Sequence, residues 1–191
     1  MLTNERVIEV LKEAGVLSEG HFLLTSGRHS GKYLQCAKIF QDTKYAEELC
    51  ASLAKKYEDV GVDIVCGPAI GAIQMAYEVS RHLGVKNIFT ERVEKKMMLR
   101  RGFTIEKGQK VLIVEDVITT GGSVLEVIDI VREQGGIVCG VGVLVDRTGG
   151  KIGFGVPLNS VISMEVESFS EDECPMCKAG LPIEKPGSRK I

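Results

Sequence analysis

Apolar residues along this chain come in two patterns, short unbroken runs and stripes at helical spacing, with small or polar turns between them. The run 111–114, Val-Leu-Ile-Val, has three β-branched members and suits a strand buried on both faces. The stretches 63–66, 87–90, 137–145 and 161–166 read as further strands. Helical stripes separate them. Thr3 is placed to cap a helix running to about Ala14, with Val7, Ile8 and Leu11 facing inward and Gly15 ending it. Asp42 or Thr43 opens a second helix, through about Tyr57, with Tyr45, Leu49 and Leu53 on one face. A third follows the turn 67–72 and stops at Gly84. A fourth follows Ser123, with Val124, Leu125, Ile128 and Val131 on one face and Gly135-Gly136 closing it. Within 21–34, apolar runs on either side of a Ser26-Gly27 turn predict a short hairpin or irregular β segment.

Composition narrows the class. A chain of 191 residues fits one domain with a full core. A net charge of −2 does not suggest a surface for nucleic acid. No apolar run is long enough to span a bilayer, and the N-terminus opens an amphipathic pattern unlike a signal peptide. Six cysteines do not read as a secreted disulfide framework. Cys36, Cys50, Cys66 and Cys139 sit in apolar or helical contexts, as buried thiols do. These features together predict a cytoplasmic protein. The pair in Cys174-Pro175-Met176-Cys177 is a weak zinc signal without a second pair of ligands, and reads as a tight turn or a redox-sensitive pair. The tail 185–189 suggests no chemistry.

The stretch 110–123 carries the chemistry. After the apolar run come Glu115 and Asp116, then Thr119-Thr120-Gly121-Gly122-Ser123, then a helix. Backbone N–H groups of such a loop converge on an anion, and the helix N-terminus adds partial positive charge. Gly121 and Gly122 let the backbone come close, and Thr119, Thr120 and Ser123 add hydroxyl donors. Two carboxylates would repel a bare phosphate. They suit a ligand that also carries a sugar diol or a divalent cation. The plainer reading, an ordinary strand–helix turn, requires several independent residue choices to coincide. Neither a P-loop nor a dinucleotide fingerprint is present.

Two other places invite a function. Residues 91–102, Glu-Arg-Val-Glu-Lys-Lys-Met-Met-Leu-Arg-Arg-Gly, form the most charged stretch. It reads either as a solvated hairpin or as a mobile flap bringing Arg92, Lys95 and Lys96, with Arg100 and Arg101 behind them, to an anionic leaving group. Arg147 follows the strand 137–145, where open α/β sheets bind ligands, and its guanidinium could grip a carboxylate. A surface salt bridge with Asp146 is the plainer alternative.

Residues 111–123, Val-Leu-Ile-Val-Glu-Asp-Val-Ile-Thr-Thr-Gly-Gly-Ser, resemble the phosphoribosyl-pyrophosphate (PRPP) signature of the type I phosphoribosyltransferases. Almost the whole chain resembles the orotate-using branch of that family, in a form with a short flap. The resemblance implies an α/β, type I phosphoribosyltransferase fold over a single domain, 1–191. A mostly parallel central sheet would be flanked by helices, with a small N-terminal hood from about residues 1–40 and a flap at about 91–103. It implies transfer of phosphoribose from PRPP to orotate, giving orotidine 5′-phosphate and pyrophosphate. PRPP would be bound by Arg92, Glu115, Asp116, Val117, Ile118, Thr119, Thr120, Gly121, Gly122 and Ser123. Glu115, Asp116, Lys95 and Lys96 would serve catalysis, and Thr119 and Arg147 would hold orotate. Ser26-Gly27 and Tyr33 would lie near the pyrimidine, and the turn 67–72 near the diphosphate. Mg²⁺ held mainly by PRPP, a homodimer, and no nucleic-acid or membrane partner complete the expectation. A purine phosphoribosyltransferase and a non-catalytic nucleic-acid-binding regulator on the same fold are the alternatives.

Overall fold

The computed structural model describes residues 2–24 and 26–186. Thr25 of the hairpin stretch and residues 187–189 of the tail lie outside them. Helix α1 (Asn4–Glu13) begins where Thr3 Oγ1 accepts from the Arg6 N–H, and buries Val7, Val10 and Leu11. Strands β1 (Leu17–Leu23) and β2 (His29–Leu34) pair antiparallel as a separate two-stranded sheet, the predicted hairpin. A 3₁₀ segment, Cys36–Gln41, leads into α2 (Thr43–Ala54), capped by Asp42. The last turn before Tyr57 tightens to 3₁₀, so the α-helix ends sooner than its apolar stripe.

The remaining elements form a six-stranded sheet with helices on it. They are β3 (Ile64–Pro68), α3 (Ile73–Leu83), β4 (Lys86–Val93), β5 (Lys96–Leu99), β6 (Lys110–Ile118), α4 (Gly122–Glu133), β7 (Ile137–Asp146) and β8 (Leu158–Ser163). Their spatial order is β5-β4-β3-β6-β7-β8, parallel throughout except for the β4–β5 pair. The charged stretch 91–102 is therefore a hairpin at the sheet edge, turning at Glu94 and Lys95 with φ of 46° and 70°. The last strand starts three residues before the apolar run that predicted it, because Leu158 already pairs with Val141. A four-residue helix, α5 (Pro175–Lys178), lies in the C-terminal segment.

Two apolar clusters cover the two faces of the sheet. Alternation along β6 divides its side chains between them, Leu112 and Val114 on one side, Val111 and Ile113 on the other. The first cluster includes α1, α2 and α3, and the second centres on α4. Both faces are covered, which is why the parallel strands read as continuous apolar runs. Cys36, Cys50 and Cys66 are buried thiols, but Cys139 is only half-buried. Among the described residues no helix is long and apolar enough to cross a membrane.

Candidate active site

The strand order fixes where a ligand can sit. From β3 the chain moves to β4 and β5 on one side, then returns to β6 and moves to β7 and β8 on the other. At that reversal the loops after β3 and β6 diverge and leave a crevice at the carboxyl ends of the strands. The predicted turn 67–72 and the loop 119–123 are those two loops.

After β6, Ile118 is buried while Thr119 and Thr120 are exposed. Gly121 turns the chain with φ of 72° and serves as the N-cap of α4. A Cβ there would collide with Ile152 and lie 2.8 Å from the Phe154 ring, so only glycine fits. No side chain caps this helix. The Leu125 N–H donates to the Gly121 carbonyl at 3.0 Å. The N–H groups of Gly122, Ser123 and Val124 precede that bond and are free to bind an anion. A small pocket of about 80 Å³ opens here, lined by Glu115 and residues 117–124. Ile118 packs into the cluster around α4 and Val117 against the cluster on the opposite face, which leaves their backbone as the part able to meet a ligand.

Glu115 and Asp116 stand beside this cup. Asp116 Oδ1 accepts from the Val117 N–H at 2.7 Å, and Glu115 Oε1 from the Asp116 N–H at 3.3 Å. Neither has an ion-pair partner among the described residues. Burial first, and then the negative charge of Asp116, push Glu115 up to about 8. Burial likewise raises Asp116. An acidic pair held this way is relieved by hydroxyl donors or a cation.

The turn after β3 closes the other wall. Gly67 packs against Ala72, whose carbonyl oxygen would lie 2.7 Å from an added Cβ. Gly71 lies against Asp116, where a Cβ would be 3.0 Å from Oδ2. The Ala69 N–H donates to the Thr90 carbonyl at 2.6 Å, tying the turn to β4. The Ala69–Ile70 peptide is cis, and the Ile70 side chain is 86% exposed. This approach of the first glycine turn to Asp116 joins two loops that the sequence shows only separately.

Arg147 forms a further part of the rim. Its N–H donates to the Ile118 carbonyl at 3.0 Å, next to the loop. Its side chain is half-buried, its Nε has no partner among the described residues, and burial lowers its pKa. The alternative of an Asp146 salt bridge is not what the structure holds. Asp146 accepts instead from Thr148 N at 2.7 Å, Thr148 Oγ1 at 2.6 Å and Gly150 N at 3.1 Å. Thr90 Oγ1 is, among the described residues, the other buried side-chain nitrogen or oxygen without a partner, also at the carboxyl side of the sheet. Cys36 is near Asp116, Glu115 and Arg147, and burial first raises its thiol pKa. The start of the 3₁₀ segment thus abuts the site, a role that an apolar cysteine context could not reveal. Tyr33 lies along β2 against Phe22, with ring centroids 5.7 Å apart, whereas Ser26 and Gly27 are at the hairpin tip.

The flap cations divide. Arg92 is engaged with α4 through a two-pronged pair to Glu126, at 2.8 and 3.0 Å, and also donates to the Lys95 carbonyl. Arg100 and Arg101 both reach Glu91, at 3.4 and 3.0 Å. Lys95 and Lys96 are exposed at the turn, with no ion pair among the described residues. The hairpin of the plainer reading is therefore real in backbone terms, and its tip carries two unengaged cations.

Comparison with known proteins agrees with this geometry. Residues 37–152 match the family model of the phosphoribosyl transferase domain. The orotate phosphoribosyltransferase of Caldanaerobacter subterraneus subsp. tengcongensis is 53% identical over 190 residues, covering 100% of each chain. That of Thermoanaerobacter sp. is 55% identical with the same coverage. Among solved structures, orotate phosphoribosyltransferase from Aeropyrum pernix superposes with a TM-score of 0.71 at 28% identity, covering 83% of this chain and 93% of that one. The glycine elbow, the acidic pair beside it and the full-length likeness converge, and the chain belongs to the phosphoribosyltransferase family, within its orotate phosphoribosyltransferase branch.

Proposed function

We propose that this protein transfers the phosphoribosyl group of PRPP to a ring nitrogen of orotate, releasing pyrophosphate and forming orotidine 5′-phosphate. One juxtaposition carries the reading: an uncapped helix N-terminus behind a glycine elbow, beside two half-buried carboxylates without cation partners among the described residues. The cup suits the 5′-phosphate. Glu115 and Asp116 suit the ribose hydroxyls, which would donate to them and draw them into the ionised form. Full-length similarity to orotate phosphoribosyltransferases supports orotate as the acceptor. So does Arg147, whose unpartnered Nε can donate to the acceptor's carboxylate, a group that adenine, guanine and xanthine lack. Thr119, exposed at the start of the loop, would add a hydroxyl contact to the base.

No side chain need attack the sugar. The ribosyl carbon becomes cationic as the diphosphate departs, and the half-buried carboxylates stabilise that charge from a fixed position. Lys95 and Lys96 would swing over the departing diphosphate, and Arg92 would join them on leaving Glu126. The donor set fits a hard cation, since Glu115 and Asp116 offer oxygens without competing ion pairs. Mg²⁺ would be held mainly by PRPP oxygens, with Glu115 and Asp116 reaching it through the ribose hydroxyls. Its chemistry there is neutralisation of the leaving diphosphate. A cytoplasmic homodimer, with each flap shared across the interface, completes the proposal. The near-neutral charge balance gives no support to a nucleic-acid-binding role. Pyrophosphate release from PRPP, measured with orotate, adenine, guanine and xanthine in turn, tests the assignment. Turnover with orotate alone is expected, and a protein inert toward orotate would rule the assignment out.

A further inference from the structure

The lone Cys-x-x-C of the sequence has a second pair of ligands after all. His21 near the end of β1 and His29 at the start of β2 meet Cys174 and Cys177. His21 Nε2 and His29 Nδ1 are 3.0 Å apart, His29 Nδ1 is 3.2 Å from Cys177 Sγ, and each cysteine sulfur lies 3.6 Å from His21 Nε2. All four ligand atoms lie within 4.8 Å of one another. A tetrahedral zinc ion with Zn–N about 2.0–2.1 Å and Zn–S about 2.3 Å spaces its corners by roughly 3.3–3.8 Å. The four contacts above lie within a few tenths of an ångström of that range, and no pair is more than 4.8 Å apart. We propose that these residues form a structural Cys₂His₂ zinc site, separate from the PRPP crevice, that fastens the C-terminal segment to the β1–β2 hairpin.

Hydrogen bonding alone leaves this cluster crowded around one lone pair. His21 Nδ1 lies 3.0 Å from the Leu181 carbonyl, which can only accept, so Nδ1 carries the proton and Nε2 presents its one lone pair inward. Three groups converge on that lone pair, namely His29 Nδ1 and the two thiols. At most one can donate to it well, yet His21, His29 and Cys174 are 5%, 5% and 0% exposed, out of reach of compensating water. A dication resolves the conflict, since both imidazoles and both thiolates then point lone pairs at one centre. The Leu181 carbonyl becomes the outer partner that orients a metal-bound histidine. Uptake of Zn²⁺ displaces the two thiol protons and forms two Zn–S and two Zn–N bonds. Four protein ligands close the coordination shell, which is the pattern of a structural ion and leaves no position for substrate.

The location supplies a reason for such a fastening. The C-terminal segment has little apolar anchorage beyond Cys174, with Leu181 52% and Ile183 46% exposed. It is joined to the hairpin by isolated bridges, Phe22 with Glu184 and His29 with Phe169. The same hairpin leads through Tyr33 to Cys36 at the rim of the site.

The test uses full-length protein purified under reducing conditions without a histidine tag. Elemental analysis should find about one zinc per chain, as a complete four-ligand site requires. An organomercurial that caps the thiols should release it to a chelating dye and lower Tm by several degrees. Protein stripped of metal and given Co²⁺ should show the strong visible bands of tetrahedral cobalt–thiolate, lost in Cys177→Ser and weakened in His29→Gln. Should those variants fail to fold, the cobalt spectrum of the unaltered chain decides alone. Metal-free protein that takes up neither Zn²⁺ nor Co²⁺, or a Cys174–Cys177 disulfide in freshly purified protein, would overturn the proposal. None of these readouts involves PRPP or orotate, so failure here is distinct from failure of the orotate assignment.

Discussion

Replacing Arg147 with methionine separates binding from stability. The guanidinium is half-buried, burial lowers its pKa, and its Nε lacks a partner. If it grips the acceptor's carboxylate, the variant loses one partner of a desolvated charge pair, which costs about 2–5 kcal/mol. At about 1.4 kcal/mol per decade, kcat/KM for orotate should fall roughly 30- to 4,000-fold. KM for PRPP should change little. Removing an unsatisfied buried donor relieves a penalty of about 1–3 kcal/mol. At about 2–4 °C per kcal/mol for a chain of this size, Tm should hold or rise by a few degrees. Arg147→Lys keeps the charge without the planar fork and should fall between the two enzymes. Initial rates over both substrates and a thermal melt suffice. Were Tm to drop sharply while orotate and PRPP parameters worsened together, Arg147 would be a brace for the loop after β6, and its assignment to orotate would fail.

Three further outcomes follow from the same crevice. Asp116→Asn should cut turnover by about 10²–10³-fold, because it removes fixed charge facing the cationic sugar, while the circular-dichroism spectrum stays unchanged. Glu115 has its pKa raised from 4.5 to about 8, so the ligand-free fold binds more protons than the unfolded chain across that window. Stability should therefore fall as pH rises from about 4.5 to 8; Glu115→Gln should flatten the decline and exceed the parent in Tm at alkaline pH, and parallel Tm–pH curves would contradict this. Gly121→Ala meets both a left-handed backbone and the Ile152 and Phe154 side chains, so urea unfolding should show a loss of about 2–4 kcal/mol, with a raised KM for PRPP.

Much of the sheet was legible because strands buried on both faces write themselves as unbroken apolar runs, as in 111–114. The loop 119–123 was legible because its shape, backbone N–H groups ahead of a helix, is a local matter of glycine and hydroxyl residues. What was not legible is non-local. Gly71 against Asp116 depends on β3 and β6 lying side by side, and nothing in either stretch names its neighbour. Arg92 offered a free cation in sequence, yet Glu126 on the next helix along the chain, α4, holds it. The Cys-x-x-C looked unpartnered because its histidines lie 153 and 148 residues away in chain order, for Cys174 with His21 and Cys177 with His29. Two histidines flanking one hairpin turn were the available signal.

The central seam of the sheet is also its slowest to close. Ile64 pairs with Lys86 and Val141 with Leu158, but Ile64 pairs with Val111 only after 47 intervening steps along the chain. Loop-closure entropy penalises that seam more than any other in the sheet. The phosphate cup and the facing glycine turn exist as a pair only once it has formed. A nucleotide precursor bound there would thus behave as a clasp, engaging only the finished molecule and holding shut the joint whose opening would otherwise begin unfolding.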